Sequence, residues 1–120
     1  MGNEELKQRT KEFALKVLGL SDGLFPTTGN IVIKNQLARS ATGMAANYRA
    51  AGKARSPKEF ISKLGLVIEE ADESRFWLDL RVELNKENQQ IITLRKEADE
   101  LTAIFTASIK TFKKNHPITS

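Results

Sequence analysis

RSATGMAANYRAAGKARSPKEFISKLGLVIEEADESRFWLDL, residues 39–80, decides how this chain folds. It opens as small-residue helix, turns through a basic segment, and continues as a longer helix with an acidic middle. Its sharpest local signal is Ser56, Pro57 and Glu59. Together they make a Ser-x-x-Glu capping box with proline at the first helical position, so a helix starts at Pro57. Gly52 ends the helix before it. The stretch therefore reads as a helical hairpin on which the flanking segments pack.

Upstream, the hairpin's first helix runs from about Asn30 to Ala51. Ile33, Leu37, Ala41, Met44 and Tyr48 are spaced by three or four and share one face. Ala38, Ser40, Gly43, Ala45 and Ala46 surround that face, and such small side chains let a neighbouring helix come close. Gly43 costs about 1 kcal/mol of helix propensity relative to alanine, which a close backbone approach would offset. The opposite face carries Asn35, Arg39, Thr42, Ala46, Arg49 and Lys53, a basic stripe. The second helix runs from Pro57 to about Leu84. Phe60, Leu64, Val67, Ala71 and Leu78 form its seam, with Ile61, Ile68, Trp77, Leu80, Val82 and Leu84 beside it. That apolar surface is wide enough to touch two helices and a second subunit.

The ends of the chain supply one helix each. Glu4 to Leu18 is headed by Asn3 as N-cap and by Glu4 and Glu5 at the positive end of the helix dipole. Leu6, Phe13, Val17 and Leu20 line one side, with Thr10 as the weak member and Ala14 and Leu18 widening the stripe. The linker GLSDGLFPTTG, residues 19–29, is a breaker cluster in which Leu24 and Phe25 are expected to fold over one end of the core. Thr27 or Thr28 caps the hairpin's first helix. After the polar break NKENQQ, residues 85–90, a last helix runs from about Asn88 to Lys114. Ile91, Leu94, Ala98, Leu101, Phe105, Ser108 and Phe112 alternate by three and four. Lys110, Lys113 and Lys114 suit its negative end, and HPITS is a short tail. With no strand pattern, an all-α, antiparallel up-down-up-down four-helix bundle over residues 1–120 is the economical fold, as a single domain.

Composition agrees. A chain of 120 residues, 40% hydrophobic and 28% charged, holds one core. It has no cysteine, hence no disulfide and no thiol chemistry, which fits a reducing cytoplasm. No apolar run reaches the ~20 residues of a membrane helix, and the opening MGNEELKQRT is too polar for a secretory segment. The net charge of +4 is unevenly spread. Residues 23–58 hold six bases and no acid, whereas residues 59–83 hold seven acids and three bases. The hairpin folds these blocks side by side.

Little points to catalysis. The one histidine, His116, sits in the tail, and no nucleophile, base and orienter set is visible; the chain reads as a non-enzyme without cofactor. Glu-Ala-Asp-Glu occurs twice, at residues 70–73 and 97–100. Di-metal sites in bundles use Glu-x-x-His pointing inward, and neither copy has the histidine. Glu97 and Glu100 flank the core positions Ala98 and Leu101, so ion-paired surface acids are expected and no metal site. Nucleic acid is the better prospect. Arg39, Arg49 and Lys53 follow one helix face and Arg55 and Lys58 continue it through the turn, a cluster that phosphates reward by counterion release. No base-reading motif accompanies it. An antiparallel hairpin centred on Ala54 sets Arg49 near Glu59 and Arg39 near residues 69–73, so part of the stripe is expected to pair internally. Lys53, Arg55 and Lys58 have fewer acids in reach. Tyr48 is expected in the core. Trp77, off the main seam, is expected at an oligomer interface with Leu80 and Leu84.

QLARSAT, GMAANYRAA, KARSPKEFISKLGLVIEEADES and FWLDL, within residues 36–80, resemble the bacterial four-helix-bundle proteins first named for open reading frames in 23S rRNA intervening sequences. They are most similar to the branch that includes the accessory variability determinant of diversity-generating retroelements. LFPTTG at 24–29 and LRKEADELTAIFTASIKTFK at 94–113 are similar to the first loop and last helix of that family. The resemblance implies a homopentameric barrel of bundles with a basic surface, and a partnership with nucleic acid and a reverse transcriptase. Where the family commonly has Asn-Ile-Ala-Glu-Gly, this chain has Asn47, Tyr48, Arg49, Ala50, Ala51 and Gly52, which makes the turn more basic. Two functions are expected on these grounds. The first is a non-enzymatic, oligomeric accessory protein that binds RNA or DNA through Lys53, Arg55 and Lys58, supported by Arg49 and Arg39. The second is a protein-interaction scaffold whose charges pair internally and which binds no nucleic acid.

Overall fold

The computed structural model describes residues 2–20 and 26–117. They form four α-helices: α1 (Glu4–Leu18), α2 (Thr28–Ala51), α3 (Pro57–Leu84) and α4 (Gln89–Asn115). Each starts where its cap dictates. The side chains of Asn3, Thr27, Ser56 and Asn88 accept the backbone N–H three residues on, from Leu6, Asn30, Glu59 and Ile91. That satisfies one orphan donor at every helix start. The α2–α3 turn spans residues 52–56 and the α3–α4 turn residues 85–88, too short for anything but antiparallel neighbours. The expected fold of Leu24 and Phe25 over the core lies outside the described residues.

The helices form an elongated four-helix bundle, 51 × 24 × 20 Å. Each packs on its neighbours in chain order and α1 closes on α4, while the diagonal α2 and α4 reach one another through large side chains such as Tyr48 and Phe105. The α2–α3 contact is the most extensive and α1–α4 the least. Small residues explain the first: Ser40 and Ser74 hydroxyls are 2.9 Å apart across it, both buried. Gly43 serves a different neighbour from the one its size implied. A side chain there would meet the Glu70 carboxylate at 2.5 Å, so the gap admits a side chain from α3 and not its backbone.

The core follows the expected seams. Phe13, Leu37, Ala41, Met44, Leu64, Val67, Ala71, Leu78, Ile91, Leu101 and Phe105 are almost wholly buried, and Thr10 fills the weak place in α1. Tyr48 is buried too; its hydroxyl accepts the Asn3 N–H at 3.1 Å and its ring tilts against Phe105. Three details differ from the sequence reading. Leu18, expected to widen the α1 stripe, is 59% exposed. Ser74 and Arg81 extend the α3 seam, and Arg81 is only 1% exposed. Burial lowers the pKa of its guanidinium.

Candidate nucleic-acid interface

Antiparallel topology fixes which residues share an end. The N-terminus of α1, the α2–α3 turn and the C-terminus of α4 lie together. Gly2 rests against Gly52, where an added Cβ would come within 2.9 Å of the Gly52 Cα, and Phe60 meets Phe112 with ring centroids 4.5 Å apart. The turn itself is tightly bonded. Gly52, Lys53 and Ala54 donate backbone N–H groups to Tyr48, Ala50 and Ala51 at 3.0–3.1 Å. Ala54 packs against the core, which leaves Lys53, Arg55 and Lys58 facing solvent.

Four of the five expected binding residues are brought together here. Arg49, Lys53 and Lys58 are exposed and make no ion pair among the described residues. Arg49 was expected near Glu59, but the Glu59 carboxylate lies 3.9 Å from the 91% exposed Arg55 instead. Arg39 does not join them. It sits ten residues before Arg49, ~15 Å along the helix at 1.5 Å per residue. There its guanidinium bonds to Glu73, as the hairpin register implied, and to Gln36 at 3.2 Å.

The end also gathers cations that lie far away in sequence. Lys110, Lys113 and Lys114 reach it on α4, and Lys7, 3.7 Å from its partner Glu4, lines with Glu4, Arg49 and Lys53 a groove of about 250 Å³. Segments 2–7, 49–59 and 107–117 together hold eight Lys or Arg and three Asp or Glu. The remainder of the chain then holds eleven of the 19 bases and twelve of the 15 acids, so the positive excess resides at this end. From sequence alone the α4 lysines are partners of the helix dipole only. The alternating helix directions, once settled, were enough to place them here.

Elsewhere three further arginines hold acids in ion pairs. Arg9 reaches Glu97 through two bonds of 2.7 and 2.9 Å and Glu100 through one of 3.0 Å. Arg75 binds Asp99 at 2.8 Å and Asp72 at 3.4 Å, and Arg95 lies 2.5 Å from Asp79. The two Glu-Ala-Asp-Glu runs are thus largely ion-paired, and no cluster of three potential metal ligands occurs among the described residues. A concavity of about 650 Å³ between α1 and α4 has Phe13 and Leu94 in its lining with the Arg9 network at its side.

The residues expected at an oligomer interface take unequal positions. Leu80 and Leu84 are exposed, 37% and 57%. Trp77 is half-buried against the core; its indole N–H donates to Glu73 at 3.3 Å and its ring meets Phe76 edge-on. Phe76, which the sequence reading passed over, is 53% exposed. None of the four helices is long and apolar enough to cross a membrane.

No curated protein matches this chain. A crystal structure of a protein of unknown function from the S23 ribosomal protein family of Bacteroides thetaiotaomicron is similar, with a TM-score of 0.74 and 28% identity, over 88% of this chain and 98% of that one. The family described as 23S rRNA-intervening sequence protein matches residues 3–107, which is nearly the whole bundle. The chain belongs to the 23S rRNA-intervening sequence protein family.

Proposed function

We propose that this protein is a non-enzymatic, oligomeric accessory protein that binds nucleic acid at the basic end of the bundle. The observation that carries the reading is the gathering of exposed cations from α2, α3 and α4 on one end while twelve of the 15 acids lie elsewhere. Lys53, Arg55 and Lys58 contact phosphate on a rigid turn, and Arg49 supports them. Arg39 drops to a structural role through Glu73. Phosphate binding of this kind is largely independent of sequence. The family description names 23S rRNA, which makes RNA the first nucleic acid to test. The reading places the protein in the bacterial cytoplasm, beside a protein partner such as a reverse transcriptase, as the accessory variability determinant resemblance implies.

Assembly is the second half of the proposal. Phe76, Leu80 and Leu84 form an exposed apolar strip on α3, and the register set by Ser40 and Ser74 brings exposed Val32 of α2 level with it. Exposed apolar patches of this kind mark interaction sites. The strip, half-buried Trp77 at its edge, builds the homo-oligomer, a pentamer by resemblance. It equally favours the alternative of a pure scaffold, so binding must be measured directly. Labelled RNA and DNA are titrated by fluorescence anisotropy against wild type and a Lys53→Ala, Arg55→Ala, Lys58→Ala triple variant. The accessory role predicts binding that the triple variant loses while its helicity stays unchanged. A wild-type protein that binds neither at low salt is a scaffold only.

A further inference from the structure

The basic end carries an aromatic surface that phosphate binding leaves unused. Beside the N-terminus of α1 lies a groove of about 420 Å³ whose lining includes Leu6, Tyr48, Phe60, Phe112 and His116. Its polar lining is neutral, with Asn3, Ser108, Thr111 and Asn115 and no carboxylate side chain. Phe112 is anchored to the core by Phe60. His116, the C-cap of α4, lies over Phe112 with ring centroids 4.0 Å apart and planes 14° from parallel. Its Nδ1 is 3.0 Å from the Phe112 carbonyl oxygen, which can only accept, so Nδ1 donates. Stack and hydrogen bond together hold an exposed ring in one orientation. Lys113 and Lys114 precede it on the last turn of α4, and Arg49 and Lys53 line the groove on the other side of the α1 N-terminus.

A fixed aromatic face beside a run of cations suits a single strand. Its bases stack on the rings while its backbone tracks the charges. A duplex keeps its base faces inside and gains nothing from the rings. We propose that the His116–Phe112 stack and the adjoining groove hold an unpaired base of single-stranded nucleic acid, RNA or DNA, with its flanking phosphates on Lys113, Lys114, Arg49 and Lys53. This rests on the nucleic-acid reading above and names its substrate class: the single strand is bound in preference to the duplex.

The test uses single-stranded RNA and DNA oligonucleotides carrying the fluorescent base aminopurine, a duplex, and an abasic strand of equal length and charge. The expected result is quenching of aminopurine on binding and affinity for the abasic strand lower by roughly tenfold, the order that base–aromatic stacking supplies. Whichever of RNA and DNA shows both effects is a source of the ligand. His116→Ala lowers affinity and quenching together, and His116→Phe, which keeps the stack, restores them. His116 is exposed at a helix end, so neither variant threatens the fold. Equal binding of abasic and normal strands without quenching overturns the stacking site and leaves phosphate binding standing. No binding of any strand or duplex overturns both.

Discussion

Glu70 shows how one carboxylate and one glycine define a contact. Its carboxyl group lies over Gly43, where a Cβ would intrude. Burial is the main cause of its raised pKa; repulsion from Glu73 and Glu69 adds to it, and Arg39 opposes it. A raised pKa means that the folded protein holds this proton more tightly than the unfolded chain. The ionised group therefore costs stability above its folded pKa, and the cost vanishes below the unfolded value of about 4.3. Glu70→Gln is expected to stabilise the protein at pH near 7 and to lose that advantage near pH 4, as urea unfolding at the two pH values shows. A variant equally stable to wild type at both would place Glu70 in water. The sequence marked Gly43 as a place of close approach but not what approaches, because only the register brings Glu70 there. Arg81 teaches the complementary lesson. Its residue type says surface, whereas the series Phe60, Leu64, Val67, Ala71, Ser74, Leu78 and Arg81 says core, and periodicity is right.

Helix boundaries were the most legible feature, because four capping side chains write them into the sequence. The α3 start is the clearest case: Ser56 accepts the Glu59 N–H at 3.1 Å and Pro57 needs no partner for the donor it lacks. Ser56→Ala is expected to lower unfolding free energy by about 1 kcal/mol, measured by chemical denaturation. A loss within error would mean that the turn's backbone bonds alone fix the start of α3. Seams were legible wherever apolar residues recur at three and four, as in α2 and α4. Exposure of the leftover apolar residues was less so. Leu18 and Phe76 are core residue types that the folded bundle leaves outside, whereas Leu84 was expected at an oligomer interface and is exposed.

The molecule as a whole is polar end to end: one end gathers cations, and the far half of α3 presents an apolar strip. A Leu80→Lys, Leu84→Lys variant is expected to run in multi-angle light scattering as a single 13.4 kDa chain with unchanged helicity, where wild type runs as an oligomer. A wild-type monomer would remove the assembly half of the proposal. About half of the candidate interface was visible in the sequence. Arg49, Lys53, Arg55 and Lys58 are contiguous on one hairpin, so helix spacing finds them. Lys7, the α4 lysines and the His116–Phe112 stack join them only through topology. The central claim is that exposed cations at this end neutralise phosphates, and the slope of log affinity against log salt for a single-stranded oligonucleotide measures it. Each neutralised phosphate contributes about −0.7 to that slope, so the Lys53→Ala, Arg55→Ala, Lys58→Ala variant is predicted to bind with a slope shallower by about 2. A wild-type affinity that does not change with salt, or a variant slope equal to that of wild type, would contradict the account.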